Sequence, residues 1–121
     1  MLEDEVGDRE FLFRGIVINS WDFENDRPSS ATFKDSKGVS VDRDGGRTEE
    51  DCINHLKKVK DFHAICKVLT MDVRELNALV LYKPISENIY HSEIHDSTER
   101  ITLRGKKPNR IRERSLVVYK K

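Results

Sequence analysis

The segment from Arg27 to Arg47, RPSSATFKDSKGVSVDRDGGR, concentrates side chains that bind anions. It contains four serines, three arginines and three aspartates. Hydroxyl and guanidinium groups donate hydrogen bonds to carboxylate and phosphate oxygens, and glycines allow the backbone to approach a ligand. The segment therefore predicts a pocket for an anion or a phosphate, although serine, aspartate and glycine also form ordinary surface turns. It has neither P-loop nor dinucleotide-binding spacing.

Arg14 and His91 are the residues outside this segment that could take part in the same chemistry. Arg14 interrupts the apolar strand pattern FLFRGIVI, and a charge in such a position indicates a functional or strained site. In YHSEIH, strand alternation places His91, Glu93 and His95 on one face. These three side chains are either exposed to solvent without a function, or take part in acid–base chemistry, or bind a metal. We expect that no metal is bound.

Together these residues define a predicted binding site. The predicted ligand-binding residues are Arg14, Arg27, Ser29, Ser30, Ser40, Asp42 and His91. Arg14 and His91 are the candidates for a catalytic role. Residues of these types serve both binding and catalysis, so they predict no particular reaction.

Alternation with a period of two predicts that strands predominate in this chain. The strand patterns are FLFRGIVI, GVSVDR, HAICKVLT, ALVLYKP and IYHSEIH. Thr48, followed by three acidic residues, predicts a helix start, and apolar residues at intervals of three to four extend an amphipathic helix over 48–61. MDVREL predicts a single helical turn and PNRIRERS a C-terminal helix, while SLVVYK either ends that helix or forms a last strand.

Strands in the majority with few helices predict an α+β fold. A chain of 121 residues has the length of one domain. We expect a single compact domain over residues 11–121, with a mainly antiparallel or mixed sheet, one main amphipathic helix and a C-terminal helix. Residues 1–10 are acidic and are expected to form a flexible lead-in.

The net charge of zero conceals an asymmetry along the chain. Residues 1–51 carry 14 acidic and 7 basic side chains, whereas residues 99–121 carry 9 basic and 2 acidic ones. The basic segment is expected to pair with acidic groups of the same fold, to meet a protein partner or a second copy of the chain, or to bind nucleic acid.

Several features predict a cytoplasmic protein without a membrane partner. No apolar run approaches the ~20 residues that span a bilayer, and the first residues do not resemble a signal peptide. The two cysteines, Cys52 and Cys66, are too few to form a disulfide framework, and their spacing is not that of a zinc site.

The blocks RPSSATFKD and GVSVDR, preceded by FRG on the first strand, resemble those of a family of small uncharacterised prokaryotic proteins. Its members share an R-x-S-S-x-x-F-K block followed by S-V-D, and many have a proline, an asparagine and a His-x-x-Ile further on. In this chain these are Pro84, Asn88, His91 and Ile94. The resemblance covers residues 11–47 and, more sparsely, 84–94. It implies a folded prokaryotic domain and names no reaction.

A second resemblance is to ADP-ribosyltransferases and related NAD-cleaving proteins. Some of them place an arginine in an (F/Y)-R-G context on the first strand, a serine on a later strand and a glutamate beyond it. Matching positions here are Arg14, Ser29 or Ser30, and Glu49 or Glu50. The resemblance implies that NAD is bound, that the arginine holds its pyrophosphate and that the carboxylate stabilises charge on the ribose. The glutamate motif of that family is absent, and the first turn of a helix accounts for Glu49 and Glu50.

We therefore expect a small prokaryotic protein that acts as a ligand- or protein-binding accessory module without a cofactor, with a role in defence or as a toxin or immunity partner. The first alternative is an NAD- or nucleotide-processing enzyme that uses the same residues. The second is a nucleic-acid-binding protein that uses residues 99–121.

Overall fold

Strands dominate the computed structural model, which describes residues 2–121. In chain order they are β1 (Phe11–Ile16), β2 (Trp21–Asp22), β3 (Arg27–Pro28), β4 (Val39–Arg43), β5 (Ala64–Leu69), β6 (Leu79–Tyr82), β7 (His91–His95) and β8 (Leu116–Lys120). Six of them form one antiparallel sheet in the order β6-β7-β4-β1-β5-β8, while β2 and β3 form a separate two-stranded hairpin. The predicted α+β class is confirmed.

Three α-helices accompany the sheet: α1 (Glu49–Val59), α2 (Thr70–Glu75) and α3 (Lys107–Arg114). The start of α1 agrees with the sequence pattern, because the Thr48 hydroxyl accepts a hydrogen bond from the backbone N–H of Asp51 at 3.2 Å. The C-terminal helix is α3, and the SLVVYK pattern after it forms the edge strand β8.

The two faces of the sheet are covered unequally. One face buries the larger core, in which Leu12, Val41 and Ile94 pack with Val73 of α2 and Ile111 of α3. On the other face, Phe13 and Ile65 pack against Cys52 and Leu56 of α1, so that α1 covers β1 and β5. Because Asp42 lies opposite Phe13, the polar side chains of β4 share this second face and border α1.

Residues 2–10, within the expected flexible lead-in, pack against the domain. Val6 is buried in the larger core, and the backbone carbonyls of Glu3 and Glu5 accept hydrogen bonds from Arg43 at 2.7 and 3.3 Å. Acidic composition favours a free segment, but the buried guanidinium of Arg43 requires acceptors, and this segment provides them. Met1, the first residue of the expected lead-in, lies outside the described residues.

Strands β1 and β4 pair only at one end, Leu12 with Arg43 and Phe13 with Asp42. From Arg14 onward β1 continues to pair with β5 alone, so a gap separates it from β4. The Arg14 side chain spans this gap: Nε donates to the Thr32 carbonyl at 3.1 Å and Nη1 donates to the Ser40 carbonyl at 2.8 Å. Arg14 thus replaces the strand-to-strand hydrogen bonds that are missing there.

Candidate ligand-binding site

A cavity of about 360 Å³ lies at the gap between β1 and β4. The sheet forms its floor, and the end of α1 and the loop between β6 and β7 form its walls. Leu56 and Val59 of α1, Phe62 after it and Ile85 of the loop make much of this wall apolar. The volume falls within the range of about 300–1,000 Å³ that is usual for small-molecule sites.

Four of the seven predicted ligand-binding residues line this cavity: Arg14, Ser40, Asp42 and His91. Alternation along β4 gives Ser40 and Asp42 the same face. Antiparallel pairing then places His91 of β7 opposite Asp42. The sheet register therefore brings together Ser40, Asp42 and His91 from two strands, whereas the Arg14 side chain reaches the cavity across the gap between β1 and β4.

The other three predicted residues, Arg27, Ser29 and Ser30, do not line the cavity. Arg27 is exposed, and its Nε lies 3.7 Å from a carboxylate oxygen of Asp22. The Ser29 hydroxyl accepts a hydrogen bond from the backbone N–H of Ala31 at 3.2 Å, which is an ordinary turn contact, and Ser30 is exposed. These residues therefore serve a hairpin end and a turn.

The ATFK segment is a pair of turns in which Thr32 N–H bonds to the Ser29 carbonyl and Lys34 N–H to the Ala31 carbonyl. The turns bury Phe33 completely. They also bring Thr32, rather than the preceding serines, to the cavity wall.

Arg43 and Arg47, which the sequence pattern grouped with the anion pocket, lie elsewhere. Arg43 is on the opposite face of β4, where its Nη2 lies 2.7 Å from Glu10 Oε2. The Arg47 guanidinium stacks on the ring of Tyr90, 3.4 Å from its centroid, and its Nη1 lies 3.0 Å from His55 Nδ1. Neither arginine is directed toward the cavity.

Arg14 is half-buried and has no carboxylate within ion-pair distance among residues 2–121. Burial lowers the pKa of its guanidinium, because removal from water disfavours the charged form. Its two hydrogen bonds engage Nε and Nη1, which leaves Nη2 without a partner among residues 2–121. An arginine in this state is suited to a planar anion.

Asp42 is 3% exposed, and only one of its two carboxylate oxygens accepts a hydrogen bond. Its Oδ1 accepts a hydrogen bond from Asn88 Nδ2 at 2.8 Å. Its Oδ2 has no hydrogen-bond partner among the described residues and lies 3.8 Å from His55 Nδ1. A buried carboxylate oxygen without a donor is unusual, and one that borders a cavity favours a ligand that brings the donor.

His91 is fixed at both ring nitrogens. Its Nδ1 lies 2.9 Å from the Lys83 carbonyl and its Nε2 lies 3.3 Å from the Ser40 hydroxyl. The carbonyl only accepts hydrogen bonds, so Nδ1 carries the proton of the neutral ring and Nε2 accepts from Ser40.

His91, Glu93 and His95 lie on one strand face, as alternation predicts, but they do not act as one group. His95 Nε2 contacts Glu93 Oε1 at 2.8 Å, and Lys83 Nζ lies 3.7 Å from the same oxygen. Within residues 2–121, no set of three or more metal-ligating side chains is arranged to hold a metal ion.

Glu49 and Glu50, the carboxylates that the ADP-ribosyltransferase resemblance requires, lie outside the cavity. Glu49 Oε1 is 2.6 Å from Lys67 Nζ, and both glutamates occupy the first turn of α1. The arginine of that proposed set therefore lines the cavity without either glutamate.

A second, more open depression of about 800 Å³ borders the acidic segment and β6. Two of its charged groups already have partners, since Arg74 Nη1 lies 2.6 Å from Asp8 and Asp96 Oδ1 lies 2.9 Å from Lys107. It offers less to an anion than the cavity at Arg14.

Several cavity residues were absent from the predicted site. Leu56, Val59 and Phe62 recur at intervals of three to four, and such spacing predicts only an apolar helix face. Asn88 did stand in the motif PISENIY, but the sequence gives no indication that its amide reaches Asp42 on another strand. No single-sequence pattern distinguishes a helix face that covers a sheet from one that overhangs a gap.

No helix within residues 2–121 has both the length and the apolar character needed to cross a bilayer. Comparisons with protein-family models, with curated proteins and with solved structures found no match. The two resemblances described above therefore stay predictions.

Proposed function

We propose that this protein is a binding module for a small organic carboxylate, whose anionic group pairs with Arg14 and whose apolar body occupies the cavity between α1 and the loop 83–90. The observation that carries the proposal is the state of Arg14, a half-buried cation without a carboxylate partner at an apolar cavity. A bound anion would restore the interaction energy that burial removes.

The contrast with Arg43 supports this assignment. Arg43 is 2% exposed and bonds to both carboxylate oxygens of Glu10, with Nε–Oε1 2.9 Å and Nη2–Oε2 2.7 Å. The fold thus supplies one buried arginine with an internal carboxylate, while the other contacts only backbone carbonyls. In this proposal the ligand takes the place at Arg14 that Glu10 takes at Arg43.

The shape of the site selects the rest of the ligand. Ile16, Leu56, Val59 and Phe62 would surround an apolar chain or ring. Asp42 Oδ2, buried and unpartnered, would accept a hydrogen bond from a hydroxyl or amine of the ligand. A nucleotide with its pyrophosphate fits this wall less well, since the cavity lining contains only one arginine and one lysine, Lys60.

The remaining expectations belong to this proposal. We infer a cytoplasmic, prokaryotic protein, and the two unpaired, buried cysteines Cys52 and Cys66 are consistent with a reducing compartment. A protein partner or second copy, a role in defence, and nucleic-acid contact through residues 99–121 stay predictions.

Octanoate, octanol and octylamine test the proposal, because they share one chain and differ in charge. Thermal unfolding of the wild type is expected to shift upward with octanoate and less with the other two compounds. Arg14→Gln is expected to abolish the preference for octanoate. Ser30→Ala, an exposed change outside the cavity, serves as the matched control and is expected to behave as wild type.

A second variant guards against misfolding of Arg14→Gln, since Arg14 also bonds to two backbone carbonyls. Val59→Asp places a negative charge at an exposed rim position, 60% accessible, and is expected to weaken octanoate more than octanol, because only octanoate is repelled by the added charge. Equal shifts with octanoate and octanol in the wild type would refute the proposal. So would an unchanged octanoate preference in both variants.

A further inference from the structure

We propose that Ser40 and His91 are a nucleophile and its general base, and that the protein hydrolyses carboxylic esters with an apolar acyl group. This inference rests on the proposed function, because the carboxylate bound at Arg14 is then the acid product of the reaction.

The tautomer of His91 is the first argument. The Lys83 carbonyl, 2.9 Å from Nδ1, fixes the ring proton on that nitrogen. The lone pair of Nε2 then faces the Ser40 hydroxyl at 3.3 Å. A base of this kind needs the Nε2 lone pair directed at the nucleophile and a third group that orients the ring, and here the third group is a backbone carbonyl. The distance is long for such a bond, as is common in unliganded sites.

The second argument is that regular backbone pairing places both residues. Ser40 lies opposite Glu93 and Asp42 lies opposite His91, so Ser40 and His91 are diagonal neighbours on adjacent strands. The orienting carbonyl is also fixed, because Lys83 N–H bonds to the His91 carbonyl at 3.1 Å. The pair thus stands on rigid strands, and Ser40 is exposed to the cavity.

The third argument is the adjacent positive charge. Arg14 Nη1 bonds to the carbonyl of Ser40 itself at 2.8 Å, so the guanidinium lines the same cavity as the nucleophile. Negative charge develops on the carbonyl oxygen of an ester under attack, and a fixed cation in an apolar site stabilises it. Asp42 does not orient His91 in this scheme, because its Oδ1 is held by Asn88.

The reaction balances with water as the only co-reactant. Ser40 Oγ attacks the ester carbonyl carbon while His91 Nε2 takes the hydroxyl proton. The carbon–oxygen bond to the alcohol then breaks, and His91 returns the proton to the departing alcohol oxygen. Water then attacks the acyl carbon while His91 accepts a proton from the water. The bond between the acyl carbon and Ser40 Oγ breaks, and His91 passes the proton to Ser40 Oγ. The products are the alcohol and a carboxylic acid, which ionises to the carboxylate, and nothing is oxidised or reduced.

A fluorophosphonate probe and p-nitrophenyl hexanoate test the inference with the full chain. We expect one probe adduct per wild-type chain, mapped to Ser40, and ester turnover that Ser40→Ala abolishes. His91→Gln is expected to slow both reactions by at least ~100-fold, the usual contribution of a general base. Ser30→Ala is the matched control and is expected to react as wild type.

Octanoate binding by Ser40→Ala separates this inference from the proposed function. If Ser40 is not labelled, or if Ser40→Ala hydrolyses the ester as fast as the wild type, the esterase assignment is overturned. If octanoate still stabilises the wild type and Ser40→Ala in that case, the proposed binding function stands. If octanoate does not stabilise the wild type, both the binding function and the esterase assignment are overturned.

Discussion

The carboxylate of Glu10 and the guanidinium of Arg43 form a bidentate ion pair, with Oε1–Nε 2.9 Å and Oε2–Nη2 2.7 Å. Burial opposes ionisation of Glu10, but hydrogen bonds from Arg43 and from the backbone N–H groups of Gly7 and Gly45 outweigh it, so the pKa of Glu10 lies below its ordinary value. This pair ties the acidic N-terminal segment to β4.

Glu10→Gln is expected to lower the free energy of unfolding at pH 7 by about 2 kcal/mol. A fully buried pair would lose about 3–5 kcal/mol, but Glu10 retains contact with water. Because the folded pKa is lowered, the contribution is complete above the unfolded value of about 4.3 and disappears as the pH falls through the folded value.

Urea unfolding of wild type and Glu10→Gln at pH 7 and at about pH 3 checks this. The stability difference is expected to shrink at the lower pH. Glu24→Gln, an exposed change, is the control and should alter neither value. A difference that grows on acidification would contradict the assignment.

Both cysteines are expected to be unreactive in the folded protein. Burial raises the pKa of Cys66 to about 12 and that of Cys52 to about 11, so almost no thiolate is present near pH 8. An Ellman titration should detect no thiol in the native protein and two thiols in guanidinium chloride. Rapid native reaction of either cysteine would show that its burial is wrong.

Gly15→Ala is expected to displace the ring of Phe62, because a Cβ at this position would overlap that ring. The expected loss of stability is about 1–3 kcal/mol, the usual cost of overpacking. Phe62→Ala in the same chain should recover part of it, and a double-mutant cycle measures the recovery. Strict additivity of the two changes would indicate that the ring and Gly15 do not meet.

Asp42→Asn and Asn88→Ala are expected to have different effects on stability. The first removes a buried charge with one unpartnered oxygen and preserves the bond from Asn88, so the melting temperature should be unchanged or higher. The second leaves both Asp42 oxygens without a donor and should cost about 1–3 kcal/mol. Calorimetry of the two variants measures these melting temperatures. A lower melting temperature for Asp42→Asn than for the wild type would mean that Asp42 Oδ2 has a partner in solution.

Lys107→Ala is expected to lower the melting temperature by a few degrees, whereas Lys106→Ala should not. Lys107 Nζ lies 2.9 Å from Asp96, which also accepts a hydrogen bond from the backbone N–H of Arg104. Lys106 is exposed and has no ion pair within residues 2–121.

Other basic side chains of the C-terminal segment are also paired. Lys120 lies 2.7 Å from Asp26, Lys121 lies 2.5 Å from Asp61, and Arg114 contacts acidic groups of α2. We therefore expect no retention of DNA or RNA in a gel-shift assay at roughly 50 mM salt. Tight retention that depends on Lys106 and Arg110 would support the nucleic-acid alternative.

Strand alternation predicted the fold class, which is confirmed, and it also accounts for the placement of part of the candidate site. A period of two places Ser40 and Asp42 on one face of β4 and His91 on one face of β7, and Arg14 was conspicuous as a charge in an apolar strand. The same alternation directs Arg43 to the opposite face, where it meets Glu10 instead of a ligand. Arg43 is close in sequence to Ser40 and Asp42, but adjacent positions on a strand face opposite sides of the sheet, so it does not belong to the same pocket.

The remainder of the site depends on distances that a single sequence does not encode. The turns at 29–34 direct Thr32 toward the cavity and Ser30 into solvent, and local composition suits either outcome. The Asn88–Asp42 bond joins a loop to a strand 46 positions earlier. The gap between β1 and β4, which creates the cavity, leaves both strand patterns unaltered.

The short ladder between β1 and β4 divides the sheet into two three-stranded halves, β6-β7-β4 and β1-β5-β8. Along this seam, local opening breaks fewer backbone hydrogen bonds than elsewhere in the sheet, so its amides should exchange with deuterium earliest. A molecule that contacts both Arg14 of β1 and His91 of β7 would link the two halves of the sheet. A ligand bound as we propose would thereby make the whole sheet more rigid.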